Sequence, residues 1–281
     1  MRALNQFSGW LFVLMATALL AWVYLAWGRD HHQWAFPSGW LLLGMMVFLT
    51  AYNARKKLPG LRLGSSRLWL NLHIYLGFFG VVVFLFHLRF RWPTGWFEII
   101  LAVLFAIVAV SGVVGWILSR DYPKRLTTQG GEVLYERIPI VRRDLAAQAE
   151  AVALESVGTA KSSTLADFYA AELHGYFSKH QHFVQHCMAR EGALVGIRQR
   201  MQEQDRFLND AEREEMKKLV RLVNEKHALD FQYSLQTALR MWLFVHIPFT
   251  YSLLIWSAAH VVLVYGYSAG AGTVPMGGAG G

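Results

Sequence analysis

The stretch LHIYLGFFGVVVFLFHL, residues 72–88, is apolar enough to enter a membrane and yet carries a histidine near each end, His73 and His87. Ionisable side chains inside a bilayer are costly, and those that occur are usually functional. The composition agrees with a membrane location, because 54% of the 281 residues are hydrophobic and only 16% are charged. The stretch therefore predicts a transmembrane helix whose histidines have a role.

Five apolar segments approach the ~20 residues that a helix needs to cross a hydrocarbon layer of ~30 Å. We expect an all-α membrane protein with five transmembrane helices in a bundle and a helical cytoplasmic insertion before the last of them. The predicted spans are residues 8–27, 38–53, 70–88, 97–118 and 241–265. The predicted domains are four spans in 1–118, the insertion in 119–240, the fifth span in 241–267 and a Gly-rich outer tail in 268–281. A signal peptide at the start is disfavoured, because WVYLAWGRDHH (22–32) offers no small-residue cleavage site.

The distribution of charge predicts the orientation of the chain. The loop NARKKLPGLRLGSSR (53–67) carries five Arg and Lys residues and no acid, so it is predicted to be cytoplasmic. Residues 120–240 hold 18 Lys and Arg against 17 Asp and Glu, so the net charge of +8 comes mainly from segments beside the spans. Such charge suits anionic lipid rather than nucleic acid. We expect a bacterial inner-membrane protein with a cytoplasmic N-terminus and a periplasmic C-terminus.

The insertion contains several helix signals. Pro139 is placed to begin one helix that Gly158 would end, and TLAD (164–167) resembles a capping box for a helix running to about Arg190. Asn209 with Glu212 offers a further start, from which a helix would continue into the fifth span. An apolar stripe at helical spacing follows that start, formed by Met216, Leu219, Val220 and Val223.

A histidine cluster in the insertion lies beside Cys187, the only cysteine, and consists of His174, His180, His182 and His186. His182 and His186 form an i, i+4 pair that could share a metal, but a solvated or partner-facing helix is the favoured interpretation. One cysteine excludes an internal disulfide, a C-x-x-C-H haem attachment and a four-thiolate cluster. The insertion also shows no P-loop, G-x-G-x-x-G or triad signature, so no catalytic residue is assigned.

The fifth span, WLFVHIPFTYSLLIWSAAHVVLVYGY (242–267), repeats the histidine spacing of the third, with His260 fourteen positions after His246. Fourteen helical residues rise about 21 Å and fall about 40° short of four turns, so both histidines of a span face nearly the same way. A bis-imidazole haem needs one ring nitrogen from each of two helices. Because the two spans are predicted to be parallel, the expected pairs are His73 with His246 and His87 with His260, holding two non-covalent b-type haems.

Other residues of the spans are candidates for contact with the haems. Gly80 lies seven residues from each histidine of the third span, where the missing side chain would leave space, and Gly77 lies one turn after His73. Close helix packing explains such glycines equally well. Basic residues are placed to meet haem propionates or lipid phosphates, and they are Arg67, Arg89, Arg91, Arg120 and Arg240.

With these residues the chain resembles a di-haem b-type membrane cytochrome. The His-x13-His spacing is similar to that of cytochrome b in quinol-oxidising complexes, and ligands on the third and fifth spans resemble the transmembrane domain of ferric reductases and NADPH oxidases. The resemblance implies a haem-binding bundle that conducts electrons across the bilayer as one subunit of a hetero-oligomeric redox complex. It also implies a periplasmic c-type cytochrome or another redox subunit as partner, with quinone as a further candidate.

The chain departs from both families. No flavin or nicotinamide domain follows the fifth span, and no PEWY-like motif marks a quinol site. A quinol-reactive cytochrome b subunit and a non-redox membrane scaffold therefore stay open as alternatives.

Overall fold

The computed structural model describes residues 2–29, 32–57, 65–128, 133–180, 182–188 and 192–271. All regular structure within these ranges is helical, without a strand, so the predicted all-α class is confirmed. The chain divides into two units. We call Met1–Trp116 together with Trp242–Gly281 the membrane unit, and Ile117–Met241 the insertion unit. All eleven tryptophans lie outside the insertion unit.

Within the described ranges five helices are long and apolar enough to cross a membrane, as predicted, and they make this a multi-pass membrane protein. They are α1 (Arg2–Val23, extended by a π-helical turn over Tyr24–Gly28), α2 (Ala35–Lys57), α3 (Ser66–His87), α4 (Trp96–Thr128) and α10 (Asp210–Ala271). A short 3-10 turn, His32–Trp34, leads into α2. Many of their apolar side chains are exposed in the isolated chain, which is what contact with lipid requires.

Both ends of α3 have a local physical cause. The Ser65 side chain caps the first turn by accepting a hydrogen bond from the backbone N–H of Leu68 at 3.3 Å. At the other end, Arg89 and Phe90 adopt left-handed backbone angles, with φ of 52° and 56°, which a right-handed helix cannot continue. The helix therefore stops at His87.

The core of the membrane unit lies where α1 and α2 pack against α3. Leu20, Met45 and Val83 are buried there, and the indole N–H of Trp34 donates to the carbonyl of Phe86 at 3.0 Å. The backbone of α10 approaches α3 less closely than α1 and α2 do.

The insertion unit is built from short helices around residues 210–241 of α10. They are α5 (Ile138–Ala160), α6 (Thr164–Phe168), a π-helical turn (Tyr169–Leu173), α7 (His174–Ser178), α8 (Phe183–Cys187) and α9 (Gly192–Gln204). Its core includes the fully buried side chains of Leu165, Phe177, Leu219 and Val223. The predicted apolar stripe on α10 is therefore a core face.

Two of the predicted helix starts in this unit are confirmed. Pro139 lies in the first turn of α5, which ends at Ala160, two residues beyond Gly158. Asn209 and Glu212 cap α10 reciprocally: the Asn209 side chain accepts from the Glu212 N–H at 2.9 Å, and the Glu212 carboxylate accepts from the Asn209 N–H at 3.1 Å. From this cap α10 continues without a break through Pro248, as predicted.

The predicted helix begins at Thr164 as expected, but its predicted end near Arg190 is wrong, because helical geometry ends at Ser178. The chain leaves helical geometry at Lys179, and His182 has a left-handed φ of 61°. Tertiary bonds compensate for this break, since Lys226 donates to the carbonyl of Lys179 at 3.0 Å. Arg190 lies outside the described residues, as do residues 272–281 of the predicted tail, whose residues 268–271 belong to α10.

Candidate functional site

The four span histidines lie on two uninterrupted helices, so the spacing argument applies directly. His73 and His87 belong to α3, while His246 and His260 belong to α10. In each helix the two residues are separated by a rise of about 21 Å.

His73 and His246 face each other. Their ring centres are 6.4 Å apart and the ring planes are inclined by 72°. Two imidazoles that bind one metal ion from opposite sides, each at about 2 Å, have ring centres roughly 6 Å apart. The separation therefore fits a pair of axial ligands.

His87 and His260 are neighbours at the other end of the same two helices, close enough for their charges to interact. The Phe97 ring lies nearly parallel to that of His260, at 13° and 6.2 Å between centres. The structure thus brings together the histidines at matching positions, His73 with His246 and His87 with His260. Binding of a haem by either pair stays a prediction.

Three of the histidines are held through Nδ1 by groups on neighbouring helices. His73 Nδ1 lies 3.1 Å from the carbonyl of Leu49 on α2. His87 Nδ1 lies 3.0 Å from the Ser38 hydroxyl, also on α2, and His246 Nδ1 lies 2.8 Å from the Ser111 hydroxyl on α4. Both serines are almost fully buried, with 3% and 8% exposure.

Trp242 fixes His246 from a second direction. Its indole is stacked on the imidazole, at 5.5 Å between centres and 27° between planes, and its N–H donates to the carbonyl of Ser111 at 2.7 Å. Ser111 therefore contacts α10 through both its hydroxyl and its backbone. Gly115, one turn further along α4, leaves the space that the indole occupies, because an added Cβ would lie 2.0 Å from a Trp242 ring carbon.

The two predicted glycines of α3 differ in their surroundings. A Cβ added to Gly77 would have no described atom within 4 Å, whereas one added to Gly80 would lie 3.7 Å from the terminal methyl of Met45. Open space beside Gly77 agrees with room for a bound group. Gly80 is buried against α2, so packing accounts for it directly.

The predicted propionate partners lie in different places. Arg67 is exposed in the first turn of α3, and Arg89 and Arg91 immediately follow His87. Arg240 belongs to the insertion unit, where its guanidinium pairs with Glu136 and lies 3.9 Å from the centre of the Tyr135 ring. Contact of these arginines with a haem stays a prediction.

The histidine cluster of the insertion is only partly solvated: His174 and His182 are exposed, His180 is half-buried and His186 is buried. His186 is 2% exposed, its ring centre lies 5.0 Å from that of His227, and its Nδ1 shares the Ser234 hydroxyl with His180. Burial, reinforced by the neighbouring imidazoles, lowers the pKa of His186 to about 4. The prediction of a solvated or partner-facing helix is therefore wrong for His186, although His182 is exposed. Among the described residues, no group of three or more His, Cys, Asp or Glu side chains is arranged to hold a metal ion.

The sequence interpretation missed the groups that hold the histidines, because those groups come from helices other than the two that carry the histidines. Ser38 and Ser111 are serines in apolar spans, a signal that indicates either helix packing or a hydrogen bond to a neighbouring helix. His227 was missed because it lies forty-one residues beyond His186 in the sequence.

No family model, curated protein or solved structure matches this chain.

Proposed function

We propose that this chain is a transmembrane electron-transfer subunit that binds two b-type haems without covalent attachment. The observation that carries the proposal is the neighbouring pair His73 and His246, with ring centres 6.4 Å apart. Fourteen positions further along the same two helices, His87 and His260 form a second neighbouring pair. When bound, the haems supply one-electron chemistry. The residues of the chain bind the iron, orient the imidazoles and exclude water from the bundle.

The spacing of the two pairs supports transfer across the membrane. A rise of about 21 Å along α3 places one pair towards each face of a hydrocarbon layer of ~30 Å, which a redox protein on one side could not otherwise cross. The basic sequence segment 53–67, which leads into α3, favours a cytoplasmic side for His73 and His246. The proposal then places His87 and His260 on the periplasmic side.

The proposal requires partners on both surfaces. A sequence with one cysteine cannot attach a c-type haem covalently, so a periplasmic c-type cytochrome or another redox subunit is the proposed electron carrier. The insertion unit shows no cofactor motif and suits docking or assembly within a hetero-oligomer. Quinone is a further candidate for exchange of electrons.

The first test is the haem content of the purified, folded chain. We expect two haems per chain by pyridine haemochrome analysis, reducible by dithionite and not by NADH. Fewer than two haems would count against the proposal. Rapid reduction of the isolated chain by NADH would also contradict it, because that reaction needs a flavin or nicotinamide site.

The pairing is tested by single substitutions. His73→Leu and His246→Leu should each remove the same haem spectrum, and His87→Leu should remove the other one. His182→Leu, at an exposed histidine of the insertion unit, is the control and should retain both haems. The same spectral loss in His73→Leu and His260→Leu would show that the pairs are crossed and that the two helices are antiparallel.

A further inference from the structure

We propose that Ser38 and Ser111 are positioning residues that select the tautomer of His87 and His246 and thereby tune two metal centres separately. This inference rests on the proposed function. It concerns the hydroxyls themselves, which belong to helices that carry none of the four histidines.

The direction of each hydrogen bond follows from the count of hydroxyl protons. We assign the single proton of the Ser38 hydroxyl to the carbonyl of Trp34, at 2.7 Å, which leaves its oxygen to accept from His87 Nδ1, at 3.0 Å. The proton of the Ser111 hydroxyl is assigned in the same way to the carbonyl of Val108, at 2.9 Å, and its oxygen accepts from His246 Nδ1. In both rings the proton therefore lies on Nδ1 and the lone pair on Nε2.

The tautomer of His73 is the same, and it follows from a backbone carbonyl instead of a rotatable hydroxyl. Its Nδ1 is bonded to the backbone carbonyl of Leu49, and a carbonyl can only accept, so Nδ1 carries the proton. Both members of the facing pair, His73 and His246, therefore have the lone pair on Nε2. A neutral imidazole in this tautomer binds a metal through Nε2, and an acceptor at Nδ1 raises its basicity.

The two serines act on different pairs. Ser111 is hydrogen-bonded to His246, which pairs with His73. Ser38 is hydrogen-bonded to His87, which pairs with His260. An acceptor at Nδ1 makes the imidazole a stronger electron donor and favours the oxidised metal. Removing either hydroxyl should therefore raise the reduction potential of one centre and leave the other unchanged.

The test compares Ser111→Ala and Ser38→Ala in the full-length chain. Each variant should raise the midpoint potential of one haem, change the electron paramagnetic resonance signal of that haem, and weaken its retention roughly 10- to 100-fold, as loss of such a partner typically does. Ser111→Thr, which keeps the hydroxyl, should restore the parent potential.

Thr250→Val is the matched control, since the Thr250 hydroxyl bonds the backbone carbonyl of His246, at 2.7 Å, and not its ring. It should leave both potentials unchanged. A haem-containing chain in which Ser111→Ala alters thermal stability without altering either potential would overturn this inference and leave the proposed function standing. A parent chain without haem would overturn the proposed function itself.

Discussion

Acidification should loosen the insertion unit around His186. The side chain is 2% exposed and in contact with His227 from α10, while His180, His182 and Lys226 add positive charge around it. The pKa of His186 is lowered to about 4, against an ordinary 6.5, so the native state resists a proton that the unfolded chain accepts. The stability of the insertion unit should therefore be greatest above pH 6.5 and should fall as the pH drops from 6.5 towards 4.

The size of the effect follows from this difference in pKa. At about pH 5 the unfolded imidazole is almost fully protonated and the native one almost fully neutral, which costs the native state about 2 kcal/mol relative to neutral pH. Residual hydration of the cluster reduces the loss to about 1 to 2 kcal/mol. Local opening should thus become roughly 5- to 30-fold more frequent.

Hydrogen exchange of the full-length chain in detergent measures this directly, with each amide rate corrected for its intrinsic dependence on pH. Protection should fall in α8 and in the facing turns of α10. His186→Gln should remove most of the acid sensitivity, whereas the exposed His182→Gln should preserve it; burial also lowers the pKa of His180, which accounts for the remainder. Equal protection at neutral pH and at about pH 5 in the parent chain would refute the reasoning, and so would an unchanged acid sensitivity in His186→Gln.

Two further outcomes are expected. Lys226→Met should destabilise the insertion unit by about 3 to 5 kcal/mol in chemical denaturation, because it leaves Asp230 charged and buried. Adding Asp230→Leu should recover most of that loss. If the pair were exposed, neither variant would show its effect. Gly77→Leu should lower the haem content of the chain, because the space beside Gly77 is proposed to hold the haem. Gly44→Leu, at an equally open position of α2, is the control and should not lower it. Equal haem content in both variants would contradict a haem beside Gly77.

The spans could be predicted from the sequence because their signals are local. An apolar run of sufficient length and a repeated spacing of fourteen residues depend only on helix geometry, which α3 and α10 both keep. The reciprocal cap of Asn209 and Glu212 is local in the same sense, since both bonds join residues three apart. The facing of His73 and His246 needed one further assumption, that the two helices are parallel.

The features of the structure that the sequence did not reveal depend on contacts between distant parts of the chain. TLAD resembles a capping box, but the Leu165 N–H donates to Glu212, forty-seven residues away, at 3.3 Å. The break at Lys179 is compensated by Lys226 in the same long-range way. The hydroxyl of Ser111 could be found beside His246 only after α4 and α10 had been placed together.

The separation of tryptophans from the single thiol has a practical consequence. All eleven indoles lie outside Ile117–Met241, and Cys187 lies within it. Fluorescence excited selectively in tryptophan therefore reports on the membrane unit, while a dye attached at Cys187 reports on the insertion unit. One sample of the unmodified sequence thus provides two independent optical channels, in which the order of melting of the two units can be recorded without engineering a single residue.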